Sequence, residues 1–144
     1  MQAQEDTHKE LVREYLNAFN ERDREAMADL LAEDVVEHGR GRPLHGVDEI
    51  LDVLDAHFEA FPDYTGTTEE MIAEDETVAI RYTVSGTHTG EFHGVEPTGH
   101  KTEWSGMAFY RIADGNIAEI WIREDHLGLL DQLDVVEQPA YLRV

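Results

Sequence analysis

Proton chemistry in this sequence would sit on an acid that follows an aromatic strand. From Asn116 to Leu133 the chain reads as a strand carrying Trp121, then Asp125, then a short apolar helical turn with Leu127, Leu129 and Leu130. A carboxylate where a strand stops and the chain folds over it can take a proton from one atom and return it to another. The dipeptide Asp114-Gly115 ahead of this strand favours a two-residue type I′ hairpin. That turn would pair Ile112 with Ile117, Tyr110 with Glu119, Ala108 with Trp121, Gly106 with Arg123 and Trp104 with Asp125 on one face. Gly106 and Ala108 would leave room above the sheet, and the Trp104 indole would desolvate Asp125, which disfavours its charged form. Arg123 on the same face would oppose that. The plainer alternative is that Asp125 only caps the following helix, since Asp is a favoured N-cap residue.

The elements that must position this acid follow from periodicity. Leu11, Val12, Tyr15, Leu16 and Phe19 mark one face of a helix over Thr7 to Asn20. Asp23 is a candidate N-cap for a second, short helix with Met27, Leu30 and Leu31. A brief strand, Val35 to His38, runs into a Gly- and Pro-punctuated loop. A third helix over Val47 to Phe61 is closed by Pro62. The period then becomes strand-like: Tyr64 to Ala73, Val78 to Thr87, Thr102 to Ile112 and Ile117 to Glu124, with a long loop over Thr89 to His100. Helices first and an antiparallel sheet afterwards is the α+β pattern. Helices can cover one face of such a sheet; the other is solvated or meets a second copy, so a homodimer is expected.

The chain of 144 residues fits a single domain spanning 1–144, large enough to bury about 68–70% of its unfolded surface. With 32 acidic against 11 basic residues the formal net charge is −21, and Lys9 and Lys101 are the only lysines. Such a charge repels nucleic acid and anionic membrane, so neither is an expected partner. The bias resembles that of extreme halophiles, whose carboxylates keep proteins soluble in molar salt. A hydrophobic content of 41% with clear periodicity excludes an acidic disordered chain. There is no cysteine, hence neither disulfide nor thiol chemistry. No basic leader or long apolar run is present, and a cytoplasmic protein is the expectation. Of eight histidines, His88, His93 and His100 lie in or beside one loop, but no His-x₃-His pair falls on a helix, so no metal site is expected.

Several blocks, read together and in order, resemble the SnoaL-like polyketide cyclase family of the wider NTF2-like, ketosteroid-isomerase-like superfamily. They are Tyr15-Leu-Asn-Ala-Phe-Asn20, Leu31-Ala-Glu-Asp-Val-Val-Glu-His38, Gly86-Thr-His-Thr-Gly-Glu-Phe92, Pro97-Thr-Gly99, Phe109-Tyr-Arg-Ile-Ala-Asp-Gly115 and Ile117-Ala-Glu-Ile-Trp121 with Asp125 and Leu127-Gly-Leu-Leu130. The resemblance implies a cone-shaped barrel, a curved antiparallel sheet covered by three N-terminal helices, with a short C-terminal helix and a deep apolar pocket, usually in a dimer. It implies an intramolecular aldol closure or related carbon-acid reaction on a small, apolar, carbonyl-bearing molecule, without metal or organic cofactor, and gives Asp125 the role of general acid/base. His38 falls where the ketosteroid isomerases carry a catalytic Asp and is expected as a second catalytic residue, a pocket imidazole that shares the proton work or binds a substrate carbonyl. Tyr15 falls at their oxyanion tyrosine, and Ala108 at their second oxyanion acid, so half of that donor pair is missing. Tyr15, His88, Trp104, Ala108 and Trp121 are the expected pocket residues. A non-catalytic binding dimer, or an isomerase or hydrolase, remains an alternative on the same fold.

Overall fold

The computed structural model describes residues 2–142. The first helix, α1, spans Gln2–Glu21 and buries Val12, Tyr15 and Ala18; α2, Arg24–Leu30, begins where the Asp23 side chain accepts the Ala26 N–H at 3.0 Å. Strand β1 (Leu31–His38) and the two-residue β2 (Leu44–His45) lead to α3, Val47–Ala60. Four strands follow: β3 (Thr65–Glu74), β4 (Thr77–Thr87), β5 (Lys101–Ala113) and β6 (Asn116–Glu124). Helix α4, His126–Gln132, and a 3₁₀ turn at Ala140–Leu142 complete the described residues.

The six strands form one sheet in the order β2-β1-β6-β5-β4-β3. The sheet is mixed: β1 lies parallel to β6, and the other pairs are antiparallel. The expected antiparallel sheet is met by every pair except β1–β6, which is parallel. The chain leaves β1 through β2 and α3, and β1 serves as the far neighbour of the last strand. The core lies between the helices and the inner face of the sheet, with Phe61, Ile50, Val35, Val78, Ile117, Ile120 and Leu129 among its most buried members. Burying a side chain of this kind contributes roughly 1.5–3 kcal/mol. No helix among the described residues is long and apolar enough to cross a membrane.

The β5–β6 hairpin decides which side chains face this core. Its turn has the expected geometry, with Asp114 at φ 52° and Gly115 at φ 78°, both left-handed as a type I′ turn requires. Ile112 pairs with Ile117, but the next pair is Arg111 with Glu119, which leaves Ala118 as the extra residue of a β-bulge. From there Tyr110 pairs with Ile120, Ala108 with Ile122 and Gly106 with Glu124. One inserted residue exchanges the two faces of everything beyond it. The expected pairings of Gly106, Ala108 and Tyr110 are therefore each displaced by one residue, and the expected pairing of Trp104 with Asp125 does not form, since β6 ends at Glu124.

Candidate functional site

On the inner face one cross-strand row runs Thr68, Tyr82, Gly106, Glu124. Adjacent strands are about 4.8 Å apart, so Tyr82 and Glu124, two strands apart, meet only if the residue between them has no side chain. Gly106 supplies that gap: a Cβ there would lie 2.6 Å from the Tyr82 hydroxyl and 2.7 Å from Glu124 Cγ. Across it the Tyr82 hydroxyl donates to Glu124 Oε2 at 2.6 Å, and Trp104 Nε1–H donates to Oε1 at 2.9 Å. His126 Nε2 lies 3.3 Å from the same Oε1, and the Glu124 side chain is only 3% exposed.

A narrow cavity opens above this row. Tyr15, Leu16 and Phe19 from α1, Leu54 from α3, Tyr64, and Ile80, Tyr82, Tyr110 and Ile122 from the sheet make its aromatic and aliphatic walls. Its charged members are Glu37, Arg40 and Glu124. Glu37 is on the inner face of β1, between the buried Val35 and the turn out of the strand. Gly39 follows with φ 120° and lies so close to β6 that a Cβ would sit 1.9 Å from the Ile122 carbonyl oxygen, so only glycine can make this turn. The turn folds Arg40 back under the sheet edge, where its Nε–H donates to Glu37 Oε2 at 2.7 Å.

The electrostatics of the site follow from this packing. Burial alone would raise the Glu124 carboxyl. The His126 hydrogen bond, the Arg40 charge and the Tyr82 and Trp104 donors outweigh it and hold the pKa at about 2. Burial pulls Arg40 down, yet the Glu37 and Glu124 carboxylates leave it raised and permanently charged. Burial, followed by neighbouring carboxylates, pushes the phenols of Tyr15, Tyr64, Tyr82 and Tyr110 up, so they remain donors at neutral pH. His57, buried behind the cavity with Nδ1 2.8 Å from the Val53 carbonyl oxygen, is lowered to about 4 by burial and then by Arg40, and is a neutral imidazole. The site thus offers an ionised carboxylate, a guanidinium and several phenolic donors in one largely apolar space.

The expected site residues divide. Tyr15 lines the cavity; Trp104 is buried outside its lining and donates to Glu124, which does line it. Ala108 is buried on the inner face between Ile80 and Ile122, whose side chains line the cavity. His88 is fully buried under the 88–100 loop against Phe61, with Nδ1 accepting the Thr98 N–H at 3.2 Å. Asp125 is exposed and outside the cavity; its Oδ1 accepts the Gly128 N–H at 2.9 Å as the N-cap of α4. Trp121 and His38 are on the outer face, stacked at 5.5 Å, with His38 Nε2 2.6 Å from Glu119. For Asp125 and Trp121 the cause is the Ala118 bulge. For His38 it is the parity of β1, whose parallel pairing sets His38 beside Trp121 and Glu37 beside the buried Ile120. Glu124, Glu37 and Arg40 were not expected; a Trp104 and a Tyr82 bracketing a glycine, opposite an acid, was the available signal.

The fold has counterparts among solved structures. AclR of Streptomyces galilaeus, assigned as a hydroxylase, is 28% identical, with a TM-score of 0.84 over 92% of this chain and 99% of its own. IdmH of Streptomyces antibioticus, assigned as a polyketide cyclase, is 32% identical, with a TM-score of 0.80 over 89% of this chain and 99% of its own. A SnoaL-like protein of Jannaschia sp. CCS1 shares the fold at a TM-score of 0.85 and 18% identity, covering 92% of this chain and 95% of its own. No curated protein matches the chain. The family description of the SnoaL-like polyketide cyclases matches residues 9–133, and the chain belongs to that family.

Proposed function

We propose that the protein is a cofactor-independent acid/base enzyme of the cyclase type, acting on a small apolar molecule with activated carbonyl groups, and that Glu124 carries the proton. The observation that supports this most is the buried Glu124 carboxylate on the cavity floor, hydrogen-bonded by Tyr82 and Trp104, with the Arg40 guanidinium in the same cavity. Glu124 starts ionised and takes a proton from a carbon flanked by carbonyl groups; the C–H electron pair moves toward a carbonyl oxygen, leaving an enolate. The enolate carbon attacks a second carbonyl of the same molecule, a C–C bond forms, and the Glu124 carboxyl returns its proton to the oxygen of the attacked carbonyl. The sum is an isomerisation that needs neither oxidant nor metal. Holding the chain of the substrate folded in the cavity contributes the rest, since well-oriented intramolecular reactions gain roughly 7–11 kcal/mol.

The test is a panel of linear β-keto esters whose apolar tails carry a further, distal ketone, followed for ring-closed product of unchanged mass with wild type and Glu124→Gln. Wild type should turn over at least one member, and Glu124→Gln should lose about 10²–10⁴-fold. Binding of the panel by both proteins with turnover by neither would favour a small-molecule-binding protein instead.

A second copy of the chain is proposed to cover the outer face of the sheet. Ile72, Ala79, Phe109, Trp121 and His38 form one row there, with Ile72, Phe109 and Trp121 exposed. Arg81, Arg111 and Arg123 share this face with Glu70 and Glu119, so two copies of a chain at −21 could approach here against local charges of both signs. Sedimentation should give a dimer for wild type and a monomer for Phe109→Glu/Trp121→Glu; a monomeric wild type would sink the idea.

A further inference from the structure

A buried guanidinium is expected to have its donors satisfied, because an unpaired charged N–H group in a low-dielectric space is costly. Arg40 departs from this. Its side chain is 10% exposed, and the Nε–H bond to Glu37 is its one hydrogen bond among the described residues. Its two Nη groups have no protein partner, yet they are not closed off from the cavity: among the described residues the one buried side-chain polar atom without a partner is His88 Nε2. The hydroxyls of Tyr15, Tyr64 and Tyr110 are in the same condition, each on the cavity wall and each without a hydrogen-bond partner among the described residues. A fixed cation and several neutral donors therefore converge on space that a ligand would fill. The Glu37 carboxylate holds the guanidinium plane, and the Gly39 turn holds the backbone beneath it.

We infer that Arg40 is a second catalytic residue, whose Nη groups hold the ligand oxygen on which negative charge develops, with β-dicarbonyl compounds and their enolates as the ligand class. This rests on the acid/base reading of Glu124 for its mechanistic meaning, and the charge balance explains why the two belong together. Before proton transfer the cavity holds the Glu124 and Glu37 carboxylates and the Arg40 cation. After it, Glu124 is neutral and the charge has moved to the ligand oxygen, so the net charge of the cavity is unchanged while the anion has gained a direct donor. Arg40 keeps all its protons throughout. A stabiliser of this kind is required by the weakness of the base, since each unit by which the carbon acid exceeds the carboxyl costs about 1.4 kcal/mol.

The test uses 4-nitrophenol as an oxyanion probe, read by the absorbance of its phenolate across a pH series with the full-length protein. Glu124→Gln mimics the carboxyl after it has taken the proton. It should bind phenolate at least about tenfold more tightly than phenol, shifting the bound dye toward ionisation at lower pH. Adding Arg40→Gln should remove that preference and leave phenol binding within about threefold, whereas adding Glu37→Gln, which keeps the cation and removes its counter-charge, should strengthen phenolate binding. If the Arg40→Gln variant does not fold, by circular dichroism, the Glu37→Gln arm decides. Phenolate binding that is indifferent to Arg40, or weakened by Glu37→Gln, would overturn the inference. An Arg40-dependent phenolate preference without any loss of turnover in Glu124→Gln would instead keep the anion site and sink the acid/base role of Glu124.

Discussion

The two faces of the sheet are built from alternate residues of the same strands, and they do opposite things with polar groups. On the inner face, Tyr82, Gly106 and Glu124 form a row in which a carboxylate is stripped of water and held by protein donors. On the outer face, His38, Glu119 and Arg111 make contacts in partial reach of solvent, with Glu119 Oε1 3.1 Å from Arg111 Nη2. The His38 hydrogen bond lowers the Glu119 carboxyl, burial opposes it, and Arg111 adds to the lowering. The same residue types give a site on one side and a surface network on the other. The difference is dielectric, not composition: a charge pair loses strength with exposure, and partly exposed pairs typically contribute about 0–1 kcal/mol.

The largest test of this contrast is acid. His57 has a folded pKa lowered to about 4 from 6.5, so as pH falls through that window the unfolded chain takes up a proton that the fold refuses. Glu124, lowered to about 2 from 4.5, contributes stability that is complete above its ordinary value and is lost as pH falls through its own window. Each group should account for about 3 kcal/mol of the total loss. Urea unfolding across pH should show a decline that begins above pH 4 and continues below it. His57→Gln should flatten the upper part and Glu124→Gln the lower, while His38→Gln on the outer face should change neither by more than about 1 kcal/mol.

Next in size is the glycine. Gly106→Ala introduces a Cβ where the Tyr82 hydroxyl and Glu124 Cγ already lie, and should cost about 1–3 kcal/mol while separating the two. Thermal unfolding gives the cost; a fall in turnover by the same variant would show that the carboxylate has moved. A smaller effect is expected at Asp125. Replacing it with Ala removes the cap of α4 and should cost about 1 kcal/mol with turnover unchanged.

The sequence carried the fold well because its helices and strands each announce their own period. Asp23 capped α2 as expected, and Asp114-Gly115 turned as expected. What it concealed was parity. Ala118 is the extra residue of the bulge, and nothing in Ile117-Ala-Glu-Ile marks one residue as unpaired, because a bulge is set by how the twisted strands must meet. That single residue moved the inner acid from Asp125 to Glu124 and sent Trp121 outward. In β1 the same ambiguity exchanged His38 for Glu37, since a short strand with Val at consecutive positions fits either face. Arg40 was hidden for a different reason: Gly39-Arg-Gly41 reads as a loop, and only the approach of Gly39 to Ile122 turns the loop inward.

The central claim is that the working carboxylate is Glu124 and not its neighbour. It is tested most directly by proton abstraction alone, through hydrogen–deuterium exchange at the activated carbon of a β-keto ester in D₂O, followed by NMR. The account predicts that Glu124→Gln slows enzyme-dependent exchange by about 10²–10⁴-fold while Asp125→Asn stays within a few-fold of wild type. Loss of exchange in Asp125→Asn with Glu124→Gln unaffected would contradict it.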